Sequence, residues 1–535
     1  MLRSITSTLR ETMHRAVRAH QSGDLDEAAR LYNRVLRAVP NQFDALHLLG
    51  AVEGQRGRHG KAHQLLSQAV KINPGSAEAL NNLGNVLWKM RRYEDAASAF
   101  EKALRMRPNL VPALNNWGNA LRRDGRYEEA LKAYASALAL EPGYAAALSN
   151  YGDVLQDLGR TEEAIAWHDK ALAIDPRDPK ALTNRGIALQ SLLLIDEALE
   201  MYTAALAIDP DFKAAQYNEA VCRLLTGDLS RGWPKFELRW ETEADDAGRR
   251  DLPKPLWLGN EELAGKSILL HAEEGFGDTI QFCRYAPLAA RKGARVILEV
   301  PALLKSLMRS LDGVDVLIDD GEPPPSFDFH CPLMSLPLAF GTTLESIPSA
   351  ARYLAADPAQ VALWRERLTR FAGAKVGLAW AGNPRRHDAP AYLMDQRRSM
   401  RLSQFGALAQ HSGATFISLQ KGEPSNQATS PAAGLHVVDW TEELLDFADT
   451  AALVEALDLV ICVDTSVAHL AGALGKPVWM LSRFESEWRW LLDRADSPWY
   501  PTMKIFRQPS RGDWEAVVEQ VSAELGRWAG PRAQP

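Results

Sequence analysis

The sequence predicts an all-α solenoid of helical-hairpin repeats followed by an α/β module of two lobes, and three observations predict it. Pro40, Pro74, Pro108, Pro142, Pro176 and Pro210 recur every 34 residues, a self-similarity that means stacked repeats. From Lys266 onward, short apolar runs alternate with amphipathic stretches, the pattern of parallel strands covered by helices. Those runs fall into two sets, divided by a proline-bearing stretch at 348–358 and a helical stretch through Phe371.

Three further columns keep the period of the first half. Glycine stands at 50, 84, 118, 152 and 186, alanine at 28, 62, 96, 130, 164 and 198, and a larger side chain at Tyr32, Leu66, Phe100, Tyr134, His168 and Tyr202. Small residues allow two helices to cross closely, and the large one fills the next gap. The proline column ends each second helix. Gly23, Gly57, Gly125, Gly159 and Gly227 mark the turn inside a repeat, whereas Arg91 and Leu193 occupy that column in two others and weaken the motif there. These columns resemble the tetratricopeptide repeat family over 9–246, as six repeats and a divergent seventh.

Asn82, Asn116, Asn150, Asn184 and Asn218 also share the period, two positions before the glycines, on the first helix of each repeat. A ladder of carboxamides facing the concave groove can grip an extended peptide backbone without reading its side chains. It is similar to the asparagine ladder of O-GlcNAc transferase, which implies capture of an acceptor polypeptide. The same residues can instead bond the neighbouring helix.

The period fades over 220–258. Gly232 is followed by Trp233 and Pro234, then Trp240, and these aromatics are expected to seal a terminal repeat that has no neighbour to bury it. The charge- and proline-rich stretch 241–255 reads as the boundary, with a linker at 247–265.

The module then divides into lobes at 266–355 and 356–535. Strands are expected at 267–270, 296–300 and 314–318 in the first, and at 376–380, 415–419, 437–438, 459–463 and 478–481 in the second. Ligands of such sheets sit outside the carboxyl ends of the strands.

The most specific string is LDLVICVDTSVAHLAGALGKPVWML, 457–481. A buried strand ends at Asp464 and a helix starts at Thr465 and Ser466, an amide-rich end suited to a phosphate, with His469 one turn in. Asp464 can equally cap that helix and His469 can be a packing residue. The string resembles the D-T-x-x-x-H-L-A-x-A-L-G-x-P signature of heptosyltransferase-like glycosyltransferases of GT-B architecture. That resemblance implies donor contacts for Asp464, Thr465, Ser466 and His469. Ser466 stands where the family often has glycine, which leaves the sugar open.

The first lobe begins LLHAEEGFGDTIQFCRYAPLAARKG. Gly275 and Gly277 let backbone approach a ligand, and Asp278 is either the cap of the first helix or, by resemblance to the G-D turn of the same family, the general base for an acceptor hydroxyl. His271, Glu273 and Glu274 are nearby alternatives; Gln281 and Arg284 fall on the first helical turns. After the strand KVGLAW comes a long non-periodic connection, 381–401, carrying Arg385, Arg386, His387, Arg397, Arg398 and Arg401. It is expected to lack regular structure, and its charge suits a diphosphate or an acidic sugar or a solvated loop. The resemblance places Arg398 on the donor phosphate. Gln420, Lys421, Gly422 and Glu423 end a strand at the crevice and either hold the nucleotide or form a surface loop.

No DxD-type metal site stands out; Asp319 and Asp320 end an apolar strand, and metal independence is expected, with no cofactor beyond the nucleotide-sugar. With 46% apolar and 24% charged residues the chain is globular, and a net charge of -7 excludes an electrostatic grip on nucleic acid. Cys222, Cys283, Cys331 and Cys462 are scattered and read as reduced, mostly buried thiols. No secretory or membrane-spanning run stands out, so a cytoplasmic location is expected. The order of repeats and transferase resembles bacterial flagellin glycosyltransferases, which implies a protein acceptor, flagellin, and a CMP-linked nonulosonic acid such as pseudaminic acid. A glycan acceptor such as lipopolysaccharide, or a repeat adaptor carrying an inactive transferase, are the competing functions.

Overall fold

The computed structural model describes residues 2–242, 250–273, 275–386, 388–432 and 434–529, of which 2–6 by backbone alone. The chain forms two compact units, Met1–Leu189 and Gln190–Pro535.

The first unit is a superhelix of helical hairpins. In the hairpin Val111–Arg123 and Tyr127–Leu140, the period explains the packing: a Cβ on Gly118 would stand 2.5 Å from Tyr134 Cε1. Gly84 and Phe100, and Gly152 and His168, repeat this relationship. The large column therefore fills the space the glycine column leaves. The turn column holds its left-handed conformation even without glycine. Arg91 and Leu193 both have φ 61°, beside 74° at Gly57 and 78° at Gly125. The motif is thus kept at those sites at a strain of about 1–2 kcal/mol each.

The helical-hairpin pattern runs on into the second unit, through Lys213–Leu225, Leu229–Phe236 and a 3-10 turn at Glu237–Glu241. The compact division falls before these helices because they pack on the α/β module. The Trp233 ring lies 5.3 Å from that of Trp488, and its Nε1 donates to the Thr342 carbonyl at 2.9 Å. Trp233 therefore docks onto the module and does not seal a free end.

The module holds two all-parallel sheets. The first comprises β1 (Ser267–His271), β2 (Arg295–Val300), β3 (Val316–Asp319) and β4 (Phe329–Pro332), in the order β3-β2-β1-β4. The second comprises β5 (Ala374–Ala379), β6 (Ala414–Ser418), β7 (Val437–Val438), β8 (Leu459–Val463), β9 (Val478–Ser482) and β10 (Met503–Arg507), in the order β10-β9-β8-β5-β6-β7. Leu378, Ile461 and Leu481 of its inner strands bury fully against Phe405 and against Val517 and Val521 of the closing helix Trp514–Ala529. Strand order reverses between β1 and β4 in one sheet and between β5 and β8 in the other, and these switch points open crevices at the strand ends.

Two strands and one helix were not expected from the sequence. Both β4 and β10 are edge strands, where one flank needs no apolar partner. Lys504 and Arg507 accordingly break the apolar run of β10. The connection after β5 is not structureless: Ala389–Arg398 is helical, capped by the Asp388 carboxylate on Ala391 N–H at 3.1 Å, with proline in the first turn. That Asp-Ala-Pro start is a legible helix signal. All four cysteines are buried and none forms a disulfide.

Candidate active site

A cavity of about 700 Å³ opens at the carboxyl ends of both sheets. Asp278 and Gly277 line it from the first turn of the helix after β1, and Asp464, Thr465 and Ser466 from the end of β8. His469, Arg398 and Lys421 line it as well. Glu423 does not: it forms a surface ion pair with Arg386, both side chains being more than half exposed.

Asp278 is not a cap. Gly275 is the N-cap of the Phe276–Phe282 helix, and the Asp278 carboxylate instead pairs with Arg489. The fallback bases are engaged elsewhere. Glu273 is bound by Arg239 at 2.9 Å, and His271 is buried with its Nε2 3.3 Å from His330 Nδ1. Glu274 and His387 lie outside the described residues. Gln281 and Arg284 are buried: Gln281 Oε1 accepts from Arg489 Nε at 2.9 Å, and Arg284 donates to the Trp499 carbonyl at 2.6 Å.

Asp464 is no cap either. Its Oδ2 accepts the Trp490 indole N–H at 3.0 Å, while Thr465 occupies the N-cap position of the Ser466–Ala473 helix without a side-chain capping bond. Thr465 Oγ1 is buried without a hydrogen-bond partner among the described residues. A helix start without a side-chain cap, beside a buried hydroxyl lacking a partner among the described residues, is a fit receptacle for a phosphate oxygen.

His469 is 5% exposed, with Nδ1 2.8 Å from the Tyr500 hydroxyl. Burial lowers it to about 4, with Asp464 opposing and Arg489 reinforcing the shift. It is therefore neutral at neutral pH and acts by packing and hydrogen bonding. Arg398 approaches the chain so closely that a Cβ on Gly382 would stand 2.5 Å from its Nη2, and its Nε donates to Asp395 at 3.1 Å. Lys421 Nζ donates to the Thr441 carbonyl at 2.6 Å. Gln420 and Gly422 line the cavity too, and the Gln420 amide makes four backbone bonds between 2.8 and 2.9 Å to Trp380, Ala381 and Lys421.

Sequence reasoning missed the segment after β9. Glu487 and Arg489 line the cavity, and the Arg489 guanidinium binds Glu487 as well as Asp278. Burial pushes Glu487 up to about 7, with Arg489 opposing and the charges of Asp464 and Asp278 adding to it. The signal that marks this segment is a cationic fork between two carboxylates at a cavity wall, and it exists only in three dimensions.

In the repeat unit, Asn82 and Asn116 line a groove cavity of about 440 Å³, joined by Asn85 and Asn119 from the next helical turn. Asn116 Nδ2 donates to Asn85 at 3.0 Å, and Asn82 Nδ2 is 2.9 Å from His47 Nε2. Asn150 is buried, donating to Asn115 at 2.9 Å and accepting from Lys180 at 3.2 Å. Asn184 donates to Asp153 at 2.7 Å and Asn218 to the Ala214 carbonyl at 2.8 Å. Among the described residues no cluster of three or more His, Cys, Asp or Glu is placed to hold a metal, and no helix is long and apolar enough to cross a membrane.

Tetratricopeptide repeat models match residues 15–77, 77–110, 110–177, 143–211 and 183–247. The glycosyltransferase family 9 (heptosyltransferase) model matches residues 443–512. Protein FlbA of Caulobacter vibrioides is 28% identical over 345 residues, covering 60% of this chain and 56% of FlbA, so the match spans little more than half of that relative. Two solved repeat proteins are similar. MamA is 26% identical, covering 32% of this chain and 94% of its own, with a TM-score of 0.30. A thermophilic repeat protein of Thermus thermophilus is 25% identical, covering 34% of this chain and 100% of its own, with a TM-score of 0.31.

Proposed function

From a chain that joins tetratricopeptide repeats to a family 9 glycosyltransferase domain, we propose that the α/β module is a GT-B enzyme. It transfers a sugar from a nucleotide-sugar, with inversion, to Ser or Thr hydroxyls of a polypeptide held by the repeats. The acceptor is flagellin and the donor a CMP-linked nonulosonic acid such as pseudaminic acid, as the likeness of the whole arrangement to bacterial flagellin glycosyltransferases suggests.

One observation carries the proposal: Asp278 from one sheet and Asp464–Ser466 from the other line a single cavity at both strand-order reversals. The donor phosphate rests on the start of the Ser466–Ala473 helix with Thr465 Oγ1, and Arg398 and Lys421 meet its charge. The acceptor oxygen attacks the anomeric carbon as its proton passes to the Asp278 carboxylate. The bond from that carbon to the phosphate oxygen breaks, and its electron pair leaves with the nucleotide. The cationic side chains and helix amides stabilise the leaving group, so no metal is required by this scheme.

The test is a thermal-shift panel of CMP-, UDP-, GDP- and ADP-linked sugars on the full chain. A ligand at 100 times its Kd stabilises by about 2.7 kcal/mol. Stabilisation by the CMP-linked sugar, followed by transfer to purified flagellin that Asp278→Asn abolishes, supports the proposal. Silence across the panel removes the donor site, and transfer to free lipopolysaccharide without transfer to protein removes the acceptor.

A further inference from the structure

The Glu487–Trp490 segment sends its side chains three ways. Trp488, 6% exposed, meets the last helical repeat: its ring is 5.3 Å from Trp233 and 5.6 Å from Phe236. Arg489 turns to the first lobe, pairing with Asp278 and donating to Gln281. Trp490 turns to the second, donating to Asp464 at 3.0 Å with its ring 5.4 Å from that of His469. Glu487 fixes the turn, its carboxylate accepting the Arg489 backbone N–H at 2.9 Å. The Arg489 guanidinium lies 4.3 Å from the centre of the Trp488 ring, a cation–π contact that ties the two side chains.

The last repeat reaches the first lobe too. Arg239 holds Glu273 and the Ser335 hydroxyl at 2.9 and 2.8 Å, five residues before Asp278 in the case of Glu273. Trp233 Nε1 holds the Thr342 carbonyl, whose hydroxyl is 2.8 Å from the Tyr285 hydroxyl.

We infer that the last repeat is a working part of the transfer site: Trp233 and Phe236 set Trp488, and Trp488 sets Arg489 against Asp278, which fixes the aim of that carboxylate. Trp233 and Trp488 are positioning residues that act through Arg489. The inference rests on Asp278 being the base, and the aromatic cluster has a competing role as a merely apolar seam.

The test is a double-mutant cycle in the full chain between Trp488→Leu and Arg489→Lys. It reads kcat with CMP-pseudaminic acid and flagellin, together with CMP affinity by calorimetry. Misplacement of a catalytic group by an ångström lowers rate by about 100-fold, so Trp488→Leu is expected to lower kcat on that order, with CMP affinity kept within about twofold. In the Arg489→Lys background the same change is expected to add no more than about twofold, and Trp488→Phe restores most of the rate. Multiplying losses, or a fall in CMP affinity equal to the fall in kcat, would overturn the inference. If Trp488→Leu does not fold, Trp233→Phe, which keeps a ring but loses the bond to Thr342, replaces it in the cycle. A wild-type rate in Asp278→Asn would instead overturn the role of Asp278, an outcome the cycle does not produce.

Discussion

Where the Phe276–Phe282 helix crosses the Ser466–Ala473 helix, Gly277 sits against His469 so closely that a Cβ on the glycine would stand 2.9 Å from His469 Cδ2. The ring cannot retreat, because Tyr500 holds Nδ1 at 2.8 Å and Trp490 lies alongside. Gly277→Ala is therefore expected to destabilise the protein by about 1–3 kcal/mol through overpacking, and to displace Asp278 from Arg489. Urea melts should show the loss, and turnover should fall further than stability at assay temperature explains. An unchanged melt with unchanged turnover would mean the two helices separate freely.

His469 also makes stability depend on acid. Its folded value is lowered to about 4 from an ordinary 6.5. The stability it contributes is then complete above pH 6.5 and is lost as pH falls through about 4. The full contribution is about 3 kcal/mol. Comparing melting from pH 7.5 to 4.5 for the parent and His469→Gln, the parent should lose more on acidification. Parallel curves would show that the imidazole is already solvated.

Glu487 sets the opposite limb. Burial raises it to about 7, so its ionisation falls within the assay range. When Glu487 is protonated, it meets Arg489 only as a neutral acceptor. As pH rises through about 7, the new carboxylate grips the guanidinium as an ion pair and steadies it against Asp278. Transfer rate is expected to climb across that pH, and Glu487→Gln should remove the inflection. The sign for folding is the reverse: stability from the neutral carboxyl is full below pH 4.5 and lost as pH rises through about 7. An inflection unmoved by Glu487→Gln would assign it to another group.

Much of this was legible in the residues, and the limit has a physical form. Gly118 and Tyr134 announce their contact because a repeat imposes the same geometry at each copy. Asp464 and Thr465 announce a strand end because an apolar run stops there. Asp278 is visible as a carboxylate after a glycine turn, but its partner is 211 residues away. No local pattern marks Arg489, and pairing across so long a separation is fixed by topology. The same holds for Trp233, whose aromatic character suggests a cap until Trp488 is seen beside it. Glu423 shows the converse: a charged residue after a strand looks like a ligand contact, yet it pairs with Arg386 at the surface, outside the residues that line the cavity.

The asparagine column separates into two kinds of residue, and mutation should separate them too. Asn150 is 5% exposed and bridges Asn115 to Lys180, so Asn150→Ala leaves a buried partner unsatisfied and is expected to lower stability by about 1–3 kcal/mol. Asn82 and Asn116 border the groove cavity, Asn82 beside His47 and Asn116 donating to Asn85 while accepting a longer bond from Asn115 at 3.4 Å. Their replacement by alanine should leave melting within about 0.5 kcal/mol of the parent while raising KM for the polypeptide acceptor. With each lost hydrogen bond to the peptide worth about 0.5–1.5 kcal/mol, the double variant is expected to raise KM by about tenfold. Donor affinity should not move, since these side chains lie in the repeat groove and not in the cavity of the α/β module. A KM unaffected by the double variant would place the acceptor elsewhere and leave the column with a role in joining helices alone.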